Sequence, residues 1–397
     1  MELLQPLIQP YAWGSRHGIA ELQGRPVPAA GPEAELWMGA HPSAPSGLSR
    51  AGQRTTLEAA IAADPAEELG TAIVARFGPR LPFLMKVLSA EQALSIQLHP
   101  TRAEAQAGFR ADNERGLPPG DPARNYVDDW PKPELLCALT PFEVLAGLRT
   151  PQDAASLLRA LGVACIAPLA AELEGATTSQ ALSHALATIL SWPVPAELIS
   201  PVVAACATLA SADGPYAAAC AAAVREEAHH PGDLGLVAML LLRHTVLDPG
   251  QAVFLPAGGL HAYLRGTGIE VLANSDNVIR AGLTGKHVDV PELLKLLDPD
   301  VTVPVLAPRP VADGVGVYET PAPEFRLYRL DLPGEPVTLP GTGPRIVLCT
   351  EGQVVLRDQS GEVALGRGES CFVSAADAAV SGTGPARAFL AGPGELS

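Results

Sequence analysis

The chain of 397 residues has no long hydrophobic run and no excess of positive charge. Its longest apolar stretch, Leu234 to Leu242, is far shorter than the ~20 residues that a membrane-spanning helix needs. Lys and Arg number 27 against 43 Asp and Glu, which gives a formal net charge of -16. This balance argues against nucleic acid or an anionic membrane as the main partner. An anionic ligand would need a local cluster of Lys and Arg.

The sequence also lacks closely spaced cysteines and a secretory signal. Its six cysteines show no C-x-x-C spacing: Cys137, Cys165, Cys206, Cys220, Cys349 and Cys371. They predict buried thiols in a reducing compartment, not disulfides or a zinc knuckle. Residues Met1 to Gly14 contain no basic stretch followed by an apolar core. We therefore expect a soluble, cytoplasmic protein.

Composition changes twice along the chain, which is long enough for two or three domains. From Met1 to about Leu148, short apolar runs broken by Gly and Pro predict mostly β structure, with short helices at 57–63 and around 101–109. From Thr150 to His244, Ala and Leu recur at helical spacing and predict an all-helical insert. The β pattern returns at Leu247.

A faint internal repeat links Asp248–His261, DPGQAVFLPAGGLH, with Gly366–Ala378, GRGESCFVSAADA. Each copy has a turn, an apolar strand and a second turn. The pattern resembles a strand–turn motif of cupin barrels, in which the later position often carries a metal-binding histidine. The first copy has His261, whereas no histidine follows His287. We therefore predict two β-barrels, one with a site and one degenerate.

The segment from Phe254 to Lys286 is unusually dense in ionisable and polar side chains. Burying charge costs several kcal/mol unless the charge is paired or used, so this density favours a functional site. A solvated loop is the alternative interpretation. Residues 253–255 predict a buried strand, and a second strand starting at His261 places His261 and Tyr263 on one face.

Three segments contain potential metal ligands. Gln97 and His99 share a face if their segment is a strand, as do Lys132 and Glu134 in a proline-bracketed extended segment. His261 is the third source. Two imidazoles, a carboxylate and an amide oxygen suit zinc, with room for a substrate oxygen. Four histidines of the helical insert lack such partners and are interpreted as surface or helix-face residues: His184, His229, His230 and His244.

Four motifs in order, AELWMGAHP, SIQLHP, KPEL and GLHAYLRGTGIEVLANSDNVIRAGLTGK, resemble those of the type I mannose-6-phosphate isomerases. The resemblance covers residues 1 to about 150 and about 247 to 297. It implies a mainly β fold with an α insert, that is, cupin-like jelly-roll β-barrels plus an all-helical inserted domain. The implied divisions are a catalytic barrel at 1–149 and 246–300, a helical insert at 150–245 and a degenerate C-terminal barrel at 301–397.

The resemblance also implies a set of site residues. One zinc ion per chain is assigned to Gln97, His99, Glu134 and His261. Catalytic roles are implied for Arg280, Lys132, Asp276 and Glu270, and substrate contacts for Ser95, Tyr263, Lys286 and Trp13. Which of Lys132, Glu270 and Asp276 carries the C2 proton stays open, because each acid also fits a salt bridge. Pro131 and Gly285 depart from the family pattern, which bears on ring opening and rate.

The implied reaction interconverts mannose 6-phosphate and fructose 6-phosphate through a cis-enediolate. Zinc would act as Lewis acid, and Arg280 would stabilise the oxyanion or hold the phosphate. A non-catalytic metal-containing cupin that binds or senses phosphosugars is the alternative. An iron oxygenase is a weaker one, since oxygen chemistry has no evident use for two lysines. We expect a phosphosugar partner, a monomer, and neither nucleic acid nor membrane.

Overall fold

The computed structural model describes residues 1–50, 52–377 and 379–395. Most of its strands lie in two antiparallel systems, one of 11 strands and one of 10. The predicted repeat ends at Ala378, which lies outside the described residues, as do 396–397 of the predicted C-terminal barrel.

The first part of the chain contains nine strands and five helices among the described residues. The strands are β1 (Glu2–Leu3), β2 (Leu7–Gln9), β3 (Glu35–Met38), β4 (Gly47–Arg50), β5 (Gln53–Thr56), β6 (Phe83–Ala90), β7 (Ile96–Leu98), β8 (Glu134–Ala138) and β9 (Phe142–Leu148). The helices are α1 (Gly18–Leu22), α2 (Leu57–Ala63), α3 (Pro65–Leu69), α4 (Thr71–Phe77) and α5 (Arg102–Glu114).

A helical segment follows, and then the remaining strands. The helices are α6 (Pro151–Leu161), α7 (Ala167–Glu174), α8 (Gln180–Leu190), α9 (Pro195–Ala210), α10 (Ala217–Glu227) and α11 (Gly235–Ala238). The next elements are β10 (Leu242–Leu247), β11 (Ala252–Leu255), β12 (His261–Ala273), β13 (Ile279–Gly282) and α12 (Val290–Leu296). The last strands are β14 (Val305–Leu306), β15 (Arg309–Ala312), β16 (Val315–Tyr318), β17 (Arg326–Pro333), β18 (Val337–Thr338), β19 (Arg345–Arg357), β20 (Glu362–Gly366), β21 (Ser370–Val373), β22 (Ser381–Thr383) and β23 (Pro385–Gly392).

The long strand β12 joins the two sheets of the first barrel. Its beginning, up to Arg265, pairs with β7 and β9, and from Gly266 onward it pairs with β6 and β8. Gly266 has φ +134°, and a Cβ there would lie 2.8 Å from the carbonyl oxygen of Pro141. Only glycine adopts this conformation without strain. The bend that closes the barrel therefore depends on Gly266.

The second barrel repeats this arrangement around β19. The first part of β19 pairs with β21 and β23, and from Gln353 onward it pairs with β20 and β22. Gly352 marks the change, with φ +72° and its Cβ position 2.1 Å from the carbonyl oxygen of Pro385. The two halves of the protein thus use the same bend to form a jelly-roll-like barrel.

Both outer faces of the first barrel are covered. Because side chains alternate along a strand, Met85 and Val87 of β6 face outward and join one apolar cluster with Phe325 and Phe389 of the second barrel. Leu98 of β7 and others on the opposite sheet pack with the insert helices in a second cluster. The interior of the barrel is thereby left for a third apolar cluster and for the polar groups described below.

The predicted fold class, mainly β with an α insert, is confirmed. The exact divisions between domains stay a prediction. Chain segments cross between them, since β1 pairs with β21 of the second barrel and β14 pairs with β11 of the first. His244 lies on β10 and pairs with Glu143, so its interpretation as a surface or helix-face residue was wrong.

All six cysteines are free, and five of them are buried. Among the described residues, no single helix is long and apolar enough to cross a membrane. The helices α8 and α9, which meet at 114°, satisfy the length and composition criteria only as a pair.

A polar junction ties the insert to the first barrel. Arg225 on α10 donates to Glu143 Oε2 on β9 at 2.7 Å, and His244 Nε2 lies 2.7 Å from Glu143 Oε1. The neighbouring Glu226 is fully buried and accepts a hydrogen bond from the backbone N–H of Ala93, just before β7. The helix α10 therefore helps to fix the segment that leads into β7.

Replacement of Glu143 tests this junction. Burial raises the pKa of the Glu143 carboxyl, but the hydrogen bond from His244 and the charge of Arg225 outweigh burial, and the pKa is lowered. A carboxyl with a lowered pKa stabilises the fold above its unfolded-state pKa, and this contribution is lost as pH falls through the folded pKa. Glu143→Gln should therefore lower the free energy of unfolding by about 2 kcal/mol at pH 7, and the gap to wild type should close below about pH 4.5.

Urea unfolding at a series of pH values measures this effect. Glu91→Gln is the matched control, because Glu91 also pairs with an arginine, Arg265, but both side chains are about half exposed. It should change stability by less than about 0.5 kcal/mol. A Glu143→Gln curve that runs parallel to wild type into acid would contradict the assigned role.

Candidate active site

The strand register places three predicted site residues in one row. Gln97 on β7 pairs with His261 on β12 and, across its other edge, with Arg280 on β13. Directly paired residues on antiparallel strands point to the same face, about 4.5–5.5 Å apart at Cβ. His99 lies two residues after Gln97 and shares that face. The amide of Gln97 thus lies between an imidazole and a guanidinium, and its Oε1 accepts a hydrogen bond from Ser95 Oγ at 2.9 Å.

His99, Glu134 and His261 converge on one point although they are distant in sequence. Glu134 Oε1 lies 3.1 Å from His99 Nε2, and Glu134 Oε2 lies 3.6 Å from His261 Nε2. Potential ligand atoms of the three residues all lie within 4.8 Å of one another. All three side chains are at least nine-tenths buried. In the described part of the chain, no other set of three His, Cys, Asp or Glu residues meets this condition.

The Nε2 atoms of His99 and His261, which face the point where the three side chains meet, have no hydrogen-bond partner among the described residues. His99 Nδ1 lies 2.7 Å from the backbone oxygen of Asn277, and His261 Nδ1 lies 3.0 Å from that of Gly259. A carbonyl oxygen can only accept, so both Nδ1 atoms carry the proton and both Nε2 atoms keep a lone pair. Neither buried Nε2 has a hydrogen-bond donor within the described structure. Two imidazole lone pairs and a carboxylate fit a divalent ion such as zinc.

Electrostatics keep these groups in the state that binds metal. Burial lowers the pKa of His99 to about 4, so its imidazole is neutral at neutral pH. Burial raises the pKa of Glu134, but the positive charge that faces its carboxylate, which includes the Lys132 ammonium, outweighs burial, and the pKa lies well below its usual value. Lys132 Nζ is 3.2 Å from Glu134 Oε1. Metal ligands must be deprotonated, and here the environment ensures it.

A buried ion-pair cluster lies beside this donor set. Lys86 Nζ is 3.3 Å from Glu270 Oε2 and 3.5 Å from Glu35 Oε2, and it lies 4.9 Å from the centre of the Trp37 ring. Burial raises the pKa of Glu270 to about 7, although the positive charge of Lys86 opposes this. Glu270 is only 3% exposed. The cluster therefore places both signs of charge within the barrel.

Asp276 is the exposed member of a contact with a buried histidine. Its side chain is 52% exposed, and its Oδ2 lies 3.3 Å from Nε2 of the buried His41. Its backbone N–H donates to Asp128 Oδ2 at 2.8 Å. Burial alone would raise the pKa of the Asp276 carboxyl, but His41 and the nearby lysines lower it by more than burial raises it. The net pKa is lowered, so the carboxyl is ionised at neutral pH.

A cavity of about 420 Å³ adjoins the row that contains Arg280. Arg280 and Lys286 both line it, and burial lowers the pKa of each, with mutual repulsion adding to the effect on Lys286. Within the described residues, neither cation forms a salt bridge. Arg280 is partly buried and Lys286 is exposed. In an otherwise acidic protein, two such cations without a carboxylate partner are suited to bind an anion. Arg280 is therefore not turned into bulk solvent.

The structure also locates the remaining predicted residues. Tyr263 is 2% exposed and its hydroxyl donates to Glu134 Oε2 at 3.2 Å. Trp13 packs on the interior cluster that contains Tyr263. Lys132 precedes β8 and does not lie on it, because the strand begins at Glu134. The individual roles inferred for these residues and for Ser95 stay predictions.

Several contributors were missed from the sequence. Lys86, Glu35 and His41 were not named, although Lys86 interrupts the apolar run LPFLMKVLSA and the other two lie in the motif AELWMGAHP. A charged residue within a buried strand was the available signal for Lys86. The carbonyl of Asn277 carries no side-chain signal at all. Such backbone groups are found only from coordinates.

Comparison with known proteins identifies the family. Residues 1–151 match the family described as phosphomannose isomerase type I, catalytic domain. Mannose-6-phosphate isomerase of Salmonella typhimurium is 37% identical over 391 residues, which is 98% of each chain. The chain belongs to the mannose-6-phosphate isomerase family. The protein of the same name from Escherichia coli is equally similar, with 37% identity over 98% of both chains.

The likeness to this family extends to the whole fold. A solved mannose 6-phosphate isomerase, described as holo and zinc bound, has a TM-score of 0.90 at 36% identity and covers 99% of both chains. The family assignment therefore includes the helical insert and the second barrel, for which the sequence motifs matched only in position and character.

The donor set predicts one divalent ion per chain, with zinc best suited to it. Removing one imidazole leaves too few ligands for tight binding, so His261→Ala should lose the ion on dialysis. Elemental analysis after dialysis measures the stoichiometry. His184→Ala is the control, because His184 is 64% exposed on the insert and lies in no donor set. An unchanged zinc content in His261→Ala would contradict the site.

Proposed function

We propose that this protein is a zinc-dependent aldose–ketose isomerase that interconverts mannose 6-phosphate and fructose 6-phosphate. The observation that carries the proposal is the buried His99–Glu134–His261 donor set next to the cavity lined by Arg280 and Lys286. A metal ion held by the donor set would stabilise negative charge on the sugar oxygens, and the two cations of the cavity suit a phosphate. The shared name of the relatives supports the reaction class.

His99, Glu134 and His261 would hold the zinc ion, and we assign the fourth protein ligand to the amide oxygen of Gln97. When bound, zinc supplies a Lewis acid for the oxygens on C1 and C2, worth several kcal/mol. The carbonyls of Asn277 and Gly259 accept from Nδ1 of the two imidazoles and so fix the orientation of both rings. Burial of the donor set excludes water, which strengthens every electrostatic contact within it.

Arg280 and Lys286 contact different negatively charged parts of the substrate. Arg280 pairs in register with Gln97, beside the proposed ligands, so it is close enough to stabilise negative charge that develops on the sugar oxygens. Lys286 lines the same cavity and is assigned to the phosphate. Lys132, 3.2 Å from Glu134, adds positive charge at the donor set.

Proton transfer between C2 and C1 requires a base that reaches both carbons. Asp276 is the candidate with an exposed, ionised carboxylate. Glu270 is buried and held by Lys86, and Lys132 is held by Glu134. We assign to Asp276 the removal of the C2 proton and its return to C1, while a second proton moves from the C2 hydroxyl to the C1 oxygen. Both transfers together convert the aldose into the ketose.

The first experiment separates the isomerase from a phosphosugar-binding cupin. Chelation and dialysis should abolish interconversion, and one equivalent of zinc per chain should restore it. In D₂O the holoenzyme should introduce deuterium at C2 of mannose 6-phosphate formed from fructose 6-phosphate, measured by NMR. Binding of fructose 6-phosphate without any such exchange would favour the non-catalytic alternative. Full activity in verified metal-free protein would refute zinc dependence.

Arg280→Ala tests the electrostatic assignment. Loss of one preorganised donor to a developing oxyanion lowers kcat by about 10²–10³-fold. We expect that loss in steady-state kinetics, with zinc content unchanged. Arg243→Ala is the control, since Arg243 is an exposed arginine on β10, and it should retain wild-type kcat. A normal kcat in Arg280→Ala would move Arg280 out of the reaction.

A further inference from the structure

His41 is a buried neighbour of the exposed Asp276. Its side chain is 7% exposed, whereas that of Asp276 is 52% exposed, and their Nε2 and Oδ2 atoms are 3.3 Å apart. Among the described residues, this contact through Oδ2 is the only salt-bridge contact of the Asp276 side chain. Oδ1 is therefore available to another partner. One carboxylate oxygen is anchored and the other is open.

The local chain determines which nitrogen of His41 carries the proton. The backbone N–H of Ser43 points to His41 Nδ1 at 3.3 Å, and Ser43 Oγ lies 2.7 Å from the same atom. A backbone N–H can only donate, so Nδ1 is the acceptor and the proton of the neutral ring is on Nε2. His41 is thereby a donor to Asp276 in its neutral form as well as in its protonated form.

The imidazole of His41 cannot follow Asp276 if that side chain moves. It packs edge-on against Trp37, with ring centres 4.9 Å apart and planes at 76°. Trp37 is itself held, because its Nε1 donates to Glu35 Oε2 at 2.6 Å and Lys86 lies over its ring. The backbone of Asp276 is held separately by Asp128. Two independent supports thus restrict one exposed carboxylate.

We propose that His41 is a positioning residue for the isomerisation, whose Nε2–H holds Oδ2 of Asp276 so that Oδ1 faces C1 and C2 of the sugar. The inference rests on the proposed function, in which Asp276 transfers the proton. It adds a residue that does not touch the substrate and acts only through Asp276. Anchoring matters because a base must serve two adjacent carbons without rotating away, and small misplacements of reacting groups cost large factors in rate.

The same contact sets the pH at which Asp276 is ionised. A hydrogen bond to the charged form favours it, so loss of the His41 donor should raise the pKa of the Asp276 carboxyl. The charged and titratable groups that face Asp276 are His41 after β3, Tyr11 after β2, Lys86 on β6, Asp128 and Lys132 before β8, and Lys286 after β13. A variant at position 41 leaves the other five unchanged.

Two substitutions separate positioning from packing. His41→Phe keeps a flat ring against Trp37 but removes the donor, whereas His41→Gln keeps an N–H donor of similar reach. In the zinc-loaded enzyme, His41→Phe should lower kcat about 10-fold with KM changed less than about 3-fold. The acid limb of its kcat/KM profile should move to higher pH. His41→Gln should recover most of both effects.

A double-mutant cycle tests whether His41 acts through Asp276. In the Asp276→Asn background, His41→Phe should lower kcat by less than about 2-fold further, because the carboxylate it positions is gone. Zinc content and urea unfolding of every variant are measured alongside. Effects that multiply in the double variant, or an acid limb that does not move, would overturn the inference. If His41→Phe does not fold, His41→Leu, which also removes the donor, takes its place in the cycle.

Failure of the inference can be distinguished from failure of the proposed function. The pKa of the Asp276 carboxyl can be followed by ¹³C NMR of the zinc-loaded protein, with the resonance assigned by its absence in Asp276→Asn. A higher pKa in His41→Phe together with an inactive wild type would reject the isomerase function and retain the contact. An active wild type with an unchanged carboxyl pKa would reject the role of His41.

Discussion

The structure depends on the burial of an acidic side chain between two imidazoles whose Nε2 lone pairs face the same point. Such an arrangement is costly in the absence of a cation, because a carboxylate and two unsatisfied nitrogens are removed from water. It persists because the carbonyls of Asn277 and Gly259 fix both rings and Lys132 and Tyr263 hold Glu134. The rest of the barrel protects this arrangement, with the insert against one sheet and the second barrel against the other.

The distribution of charge explains how an acidic protein can serve an anionic sugar phosphate. The net charge of -16 is offset locally, because Lys86 and Lys132 lie buried near the donor set and Arg280 and Lys286 line the adjoining cavity. The inner lysines are paired with glutamates, while the two outer cations have no acidic partner in the described chain. The inner lysines therefore neutralise the buried glutamates, while the outer cations can attract an anionic ligand to the cavity.

The two barrels share one architecture, but among the described residues the cluster of potential metal ligands lies in the first barrel only. Both rest on a strand of 13 residues that changes sheets at a glycine, β12 at Gly266 and β19 at Gly352. In the first barrel, the strand begins with His261 and continues to the buried Glu270. In the second, the corresponding interior is an apolar cluster that includes Val347, Cys349 and Leu356. The second barrel packs against the outer face of the first.

The sequence alone determined the fold class, the family and the residues that converge on the donor set. Period-two spacing made Gln97 and His99 neighbours on one face, and the ordered motifs linked them to Glu134 and His261. Only the tertiary structure decided the pairs Lys86–Glu270 and His41–Asp276, and the free Nε2 atoms of the two histidines. These features depend on cross-strand register, on backbone carbonyls and on burial, and, apart from the contact of His261 with Gly259, they join segments more than a hundred residues apart. No local pattern of residues encodes them.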